Sequence, residues 1–124
     1  MTSRPVLEPN AAHPITVVPT GRRVVVRIDG EVIAETDGAL TLQEASYPAV
    51  QYIPMADVAR ERLQLSDTTS YCPYKGEAVY YDVRTAAGTT ADAIWSYRDP
   101  YPAVAEIAGH VAFYPDKADV TVDA

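Results

Sequence analysis

Two β-branched runs meet at Asp29-Gly30 in RRVVVRIDGEVIAET, residues 22–36, and no other stretch restricts the fold so far. Asp-Gly supplies the two positive-φ positions of a type I′ turn, whose twist matches the strands it joins. With a two-residue loop, Ile28 faces Glu31, Val26 faces Ile33 and Val24 faces Glu35. Side chains alternate across a strand, so Val24, Val26, Ile28 and Ile33 share the expected core face. Arg23 and Arg27 take the other face, where they solvate it.

The rest of the chain reads as more short strands. HPITVVPT, ALTLQEA and YPAVQYI each offer one. In PMADVARERLQL, Pro54 can open a helix, and Val58, Arg62 and Leu65 keep a helical spacing, so a short helix is expected there. Residues 76–85 and 91–97 are expected to pair across AAGTT. The register that sets Thr85 opposite Ala91 also sets Tyr81 beside Trp95, Val79 beside Tyr97 and Arg84 beside Asp92. It gives one aromatic face of Tyr81, Trp95 and Tyr97. A second short helix is expected over 102–108, with Val104 and Ile107 inward and Gly109 ending it. VAFYPDKADVTV reads as a closing hairpin around Pro115-Asp116. Residues 1–14 read as an extended arm and 15–124 as a single β domain. The class is mostly β: two packed antiparallel sheets or an open barrel, with two short helices.

Bulk properties narrow the partners. A chain of 124 residues, 48 % hydrophobic, is enough for one domain with a real core. A net charge of −7 disfavours nucleic acid, whose phosphates it repels. No apolar run approaches the roughly 20 residues of a membrane span, and the first twenty residues do not read as a signal peptide. One cysteine allows no internal disulfide and no multi-cysteine metal site, which fits a reducing, cytoplasmic setting.

Chemistry concentrates in YCPYKGEAVYYDV, residues 71–83, which holds the only cysteine. Cys72 could be a nucleophile or redox thiol if a cation such as Lys75 lowered its pKa; more often a free cysteine is a small buried hydrophobe. His13 and His110 show no motif tying them to it. Gly76 fits a positive-φ turn from which Lys75 would project toward an anionic ligand as a point charge. Tyr52, Tyr81, Trp95, Tyr97 and Tyr114 could line a cleft and stack on a planar ligand, or simply fill the core. Nine Tyr against one Phe favours a polar interior, because each buried phenol needs a partner that Phe does not. Asp57 could act as a base or orient Lys75, though an Asp at a helix start usually caps it.

Four motifs then occur in order: Tyr52, Pro54, Asp57 and Val58; Y-C-P-Y-K-G-x-A-x-Y-Y over 71–81; W-S-Y over 95–97; and V-A-F-Y-P-D over 111–116. Together they resemble the small bacterial and fungal family known as domain of unknown function number 427. The resemblance implies a compact β fold. It further implies the tent-like two-sheet arrangement of guanine-nucleotide-exchange-factor-like zinc proteins and B-type methionine sulfoxide reductases. Those relatives hold zinc through paired CxxC motifs. Cys72 stands alone here, so that site does not carry over, and no metal or cofactor is expected. The family is sometimes labelled a nucleotidyltransferase. This chain has no glycine-rich phosphate loop. Asp119 and Asp123, four apart on a strand, would stand about 13 Å apart, too far to share a metal ion.

The expectation is a binding module. A planar, anionic small molecule would stack on Tyr52, Trp95 and Tyr97 while Lys75 neutralised its charge. The alternative is an enzyme using Cys72 activated by Lys75.

Overall fold

The computed structural model describes residues 4–123. Its strands are β1 (Ile15–Pro19), β2 (Val24–Ile28), β3 (Glu31–Thr36), β4 (Leu40–Glu44), β5 (Val50–Pro54), β6 (Leu63–Cys72), β7 (Gly76–Thr85), β8 (Gly88–Ser96), β9 (His110–Phe113) and β10 (Asp119–Val122). Seven form an antiparallel sheet in the order β1-β4-β5-β9-β8-β7-β6. Three form another, β10-β2-β3. The chain is mostly β, with two antiparallel sheets not closed into a barrel.

The Asp29-Gly30 turn forms with both residues at positive φ, and Ile28 faces Glu31 as expected. A bulge between Val26 and Arg27 then shifts the register, so Val26 faces Ala34 and Val24 faces Thr36. The core face survives the shift: Val24, Val26, Ile28 and Ile33 are all buried. Arg23 leaves that core to pair with Glu35 and Asp37 at the surface.

Three expectations are corrected. The helix over 54–65 is two single 3-10 turns, Met55–Asp57 and Arg60–Arg62, before β6 begins at Leu63. The chain there bonds sideways rather than along itself: Ala59 N donates to the Ile33 carbonyl and Val58 bridges Ala34. Those bonds satisfy backbone groups a helix would otherwise have used. The second helix is also 3-10, over Pro102–Ile107, with Val104 and Ile107 fully buried as expected.

The β7–β8 hairpin turns two residues after Thr85 rather than across AAGTT. Thr85 faces Gly88, Arg84 faces Thr89 and Val83 faces Thr90. A bulge then resets the pairing, so Tyr80, not Tyr81, faces Trp95. Asp92 takes φ 50° in that bulge, and its amide donates to Asp82 Oδ1 at 2.9 Å. The expected Arg84–Asp92 pair is absent; Arg84 donates instead to the Glu61 carbonyl.

Finally, β9 and β10 do not form a hairpin. Lys117 N and Ala118 N both donate to the Tyr114 carbonyl, a tight turn that carries the chain from the large sheet to the small one. There β10 pairs with β2.

Alternation gives the seven-stranded sheet two buried faces. Ile53, Val83, Ile94, Val111 and Phe113 pack against Val24, Val26, Ile28 and Ile33 of the small sheet. The residues between them, Tyr52, Ala78, Trp95 and Ala112, point the other way. They join Leu42, Tyr97, Val104 and Ile107 in a second core.

Candidate functional site

The motif CPYKG folds as a three-residue hairpin loop. Cys72 and Gly76 form the last pair of the β6–β7 ladder, and Lys75 N donates to the Cys72 carbonyl at 3.2 Å. Pro73 suits the fixed φ after the turn's first residue, and Gly76 takes the left-handed position, at φ 112°, where the chain rejoins the strand. The segment 99–101 closes over this turn. Tyr101 N donates to the Lys75 carbonyl at 3.0 Å, and a Cβ on Gly76 would lie 3.5 Å from the Asp99 carbonyl oxygen.

Clamped in this way, Lys75 does not project into solvent as the sequence suggested. It is only 8 % exposed and turns inward to an ion pair with Glu44. The other Glu44 oxygen lies 2.8 Å from His13 Nε2. The His13 ring stacks on Tyr74, centroids 4.2 Å apart. Burial pushes the Glu44 carboxyl up, but hydrogen bonds from Lys75 and His13 outweigh it and hold the group below its ordinary value. The Lys75 ammonium also lies 5.9 Å from the centre of the Tyr97 ring, within cation–π range.

The aromatic residues come next. Trp95 Nε1 donates to the Tyr52 hydroxyl at 3.1 Å, with the rings edge to face. Trp95 also packs on Tyr114 at 4.6 Å, and Tyr114 reaches the Tyr80 hydroxyl at 3.4 Å. Tyr97 is 7 % exposed. Its phenol lies within electrostatic reach of Tyr52, Cys72, Tyr80 and Glu44, and burial raises its pKa well above the ordinary value. Burial raises Tyr52 in the same way. Both stay neutral hydroxyls. Among the described residues, the Tyr97 hydroxyl has no hydrogen-bond partner, and Tyr52 only accepts, so its own proton remains free to donate.

Of the residues singled out in the sequence, the structure therefore gathers Tyr52, Lys75, Trp95, Tyr97 and Tyr114 on one face, with Cys72 half-buried beside them. Tyr81 is not among them. The β7–β8 bulge leaves it on the opposite face, packed against the aliphatic core, where Arg98 donates to its hydroxyl at 2.8 Å. Asp57 is also elsewhere: it accepts from the Thr36 hydroxyl at 2.7 Å and does not reach Lys75. The His110 ring instead bonds the nearby Ala108 carbonyl, while its own carbonyl accepts from the Ser96 hydroxyl.

Glu44, His13 and Tyr80 went unrecognised in the sequence. Alternation held a signal for the first two. Leu40, Leu42 and Glu44 share a strand face, and so do His13, Ile15 and Val17, so each charged or titratable residue lies in register with apolar neighbours. Nothing local announced Tyr80, because the β7–β8 register decides that it, and not Tyr81, meets Trp95.

Two clefts border this face. One of about 520 Å³ lies beside the turn, lined by Leu7, Ile15, Tyr74, Tyr101 and Pro102. Another of about 320 Å³ reaches Trp95 between Val50, Phe113, Pro115 and Val120. Among the described residues, no group of three or more His, Cys, Asp or Glu could hold a metal ion. Nor is any described helix long and apolar enough to cross a membrane.

Fold and site together define a small two-sheet β domain whose larger sheet carries an aromatic, polar second core around a buried Lys–Glu pair. The chain belongs to the family described as a domain of unknown function, DUF427, which matches residues 16–124. No curated protein matches it.

Proposed function

We propose that this domain is a binding module for a small planar molecule with an acceptor-rich head, such as a carboxylate. One observation carries the reading. Three hydrogen-bond donors gather on the aromatic face with capacity to spare: the Tyr97 hydroxyl, the Tyr52 hydroxyl proton and the remaining protons of the Lys75 ammonium. Each of these groups can still donate, so a site that brings them together suits a ligand that supplies acceptors. Trp95, which reaches the cleft of about 320 Å³, would offer ring surface for stacking.

Glu44 already balances Lys75, so an anionic ligand must share the lysine with it. In this reading the pocket belongs to a domain spanning 15–124 preceded by an arm, in the tent-like arrangement its family resemblance implies and in a reducing cytoplasm.

Trp95 is the only tryptophan in the chain, so intrinsic fluorescence reports directly on this face. Benzoate and benzamide, planar molecules with acceptor heads, should change its emission and raise the melting temperature. Tyr97→Phe should weaken binding about fivefold, the worth of one neutral hydrogen bond. Silence from both probes in both measurements would overturn the reading.

A further inference from the structure

We propose that the site takes up a planar monoanion together with one proton, and that His13 is the residue that accepts the proton. This rests on the binding reading above and names its ligand charge and its control. Lys75, Glu44 and His13 form one chain of contacts: Lys75 to one oxygen of Glu44, His13 Nε2 to the other at 2.8 Å. With His13 neutral, the three groups sum to zero charge. An anion added then leaves the cluster at −1 in a place where Lys75 and Glu44 are both largely shielded from water. Burying an unbalanced charge is costly. With His13 protonated, the imidazolium matches Glu44, the Lys75 charge is free for the ligand, and the occupied site is neutral again.

The geometry lets the charge change without rearrangement. Nε2 can donate to Glu44 whether the ring is neutral or protonated, because only the other ring nitrogen need gain the proton. Imidazole is the side chain whose ordinary titration falls between about pH 5 and 8, whereas Glu44, held below its ordinary value, keeps its charge there.

The other groups facing His13 and its partners do not supply a competing proton acceptor in that range. Tyr74, in the β6–β7 turn, stacks on the imidazole, and Tyr47, in the β4–β5 loop, meets its edge. Asn10, from the same arm, pairs with it through the backbone. Lys75 faces Tyr97, and Tyr97 and Tyr52 are neutral phenols with raised pKa values. Cys72 and Tyr80 also lie near Tyr97, and Tyr114 lies near Tyr52. A Cys72→Ser variant separates the contribution of the thiol.

His13 precedes residues 16–124, the part of the chain matched to the family. The proton coupling is thus supplied by the arm, while Lys75 and the aromatic residues come from the matched domain.

The test is a pair of titrations followed through Trp95, benzoate against its neutral isostere benzamide, at several values between about pH 5.5 and 8. Benzoate affinity should fall as pH rises, approaching tenfold per pH unit where His13 is neutral in the free protein, the limit for one linked proton. Benzamide affinity should stay flat. His13→Gln, which keeps a donor to Glu44 without titrating, should flatten the benzoate curve, and Cys72→Ser should not. Saturating benzoate should also move the titration midpoint of the His13 imidazole resonances to higher pH. Benzoate that binds with no pH dependence, or with the same dependence in His13→Gln, overturns the coupling while leaving the binding reading intact. Failure of both probes to bind overturns the two together.

Discussion

The two faces of the seven-stranded sheet obey different rules. Toward the small sheet the buried residues are Ile53, Val83, Ile94, Val111 and Phe113, with no charged side chain among the buried ones. On the other face the same strands bury Tyr52 and Tyr97 around Lys75 and Glu44. The first face is what burial of apolar area would select for stability alone. The second keeps hydroxyls, an ammonium and a carboxylate out of water, which only paired partners or a ligand can offset. One sheet thus carries an apolar buried face and a polar one, and residues a single position apart lie in different cores.

Substitutions can break that contrast. Ile94→Ala opens a cavity in the aliphatic face and should cost about 3–4 kcal/mol in denaturant melts. Tyr97→Phe, on the other face, removes an unpartnered hydroxyl and should change stability by less than about 1 kcal/mol. Equal losses from the two would mean the aromatic face is an ordinary core.

Glu44→Gln leaves the Lys75 charge buried without its partner and should cost about 3 kcal/mol. The same carboxylate gives a pH signature. Its pKa is held below the ordinary 4.5, so its contribution is present above that value and is lost as pH falls through the lower folded value. Wild type should therefore lose stability more steeply than Glu44→Gln in acid melts. Hydrogen bonds that likewise hold Glu31 and Asp92 low leave a residual slope in the variant. Identical slopes would show that Glu44 gains nothing from Lys75 and His13.

The smallest expected difference lies between two turn glycines. Gly30→Ala meets only the strain of its positive φ, about 1 kcal/mol. Gly76→Ala, at φ 112° against 79° for Gly30, lies farther from the left-handed well open to other residues, so it should cost somewhat more and also weaken benzoate binding by shifting Lys75. Loss of stability without loss of binding would separate the turn from the site.

Much of this architecture was legible. The Asp29-Gly30 turn and its core face were read correctly because turn chemistry and alternation are local. The span of β7, Gly76–Thr85, was also as expected, and so were the inward Val104 and Ile107. The site was half legible: Tyr52, Lys75, Trp95, Tyr97 and Tyr114 came together, whereas Tyr81 did not and Glu44 and His13 were missed. Tyr81 failed for a definite reason. The shorter turn and the shift at Asp82–Asp92 together leave the register one residue from the expected one, with Tyr81 opposite Ile94, and a slip of one puts Trp95 and Tyr97 on the face away from Tyr81.

The sequence by itself determined the elements whose causes are local: the positive-φ pair of a turn, the proline and glycine that shape the CPYKG loop, the apolar alternation of each strand. Tertiary structure decided where those elements meet. Only the folded chain could send β10 to the small sheet and set Glu44 of β4 against Lys75 and His13. Sidechain pairing across 31 residues on either side of Glu44 leaves no trace in local pattern, because the energy that fixes it lies in burial and charge balance between distant strands.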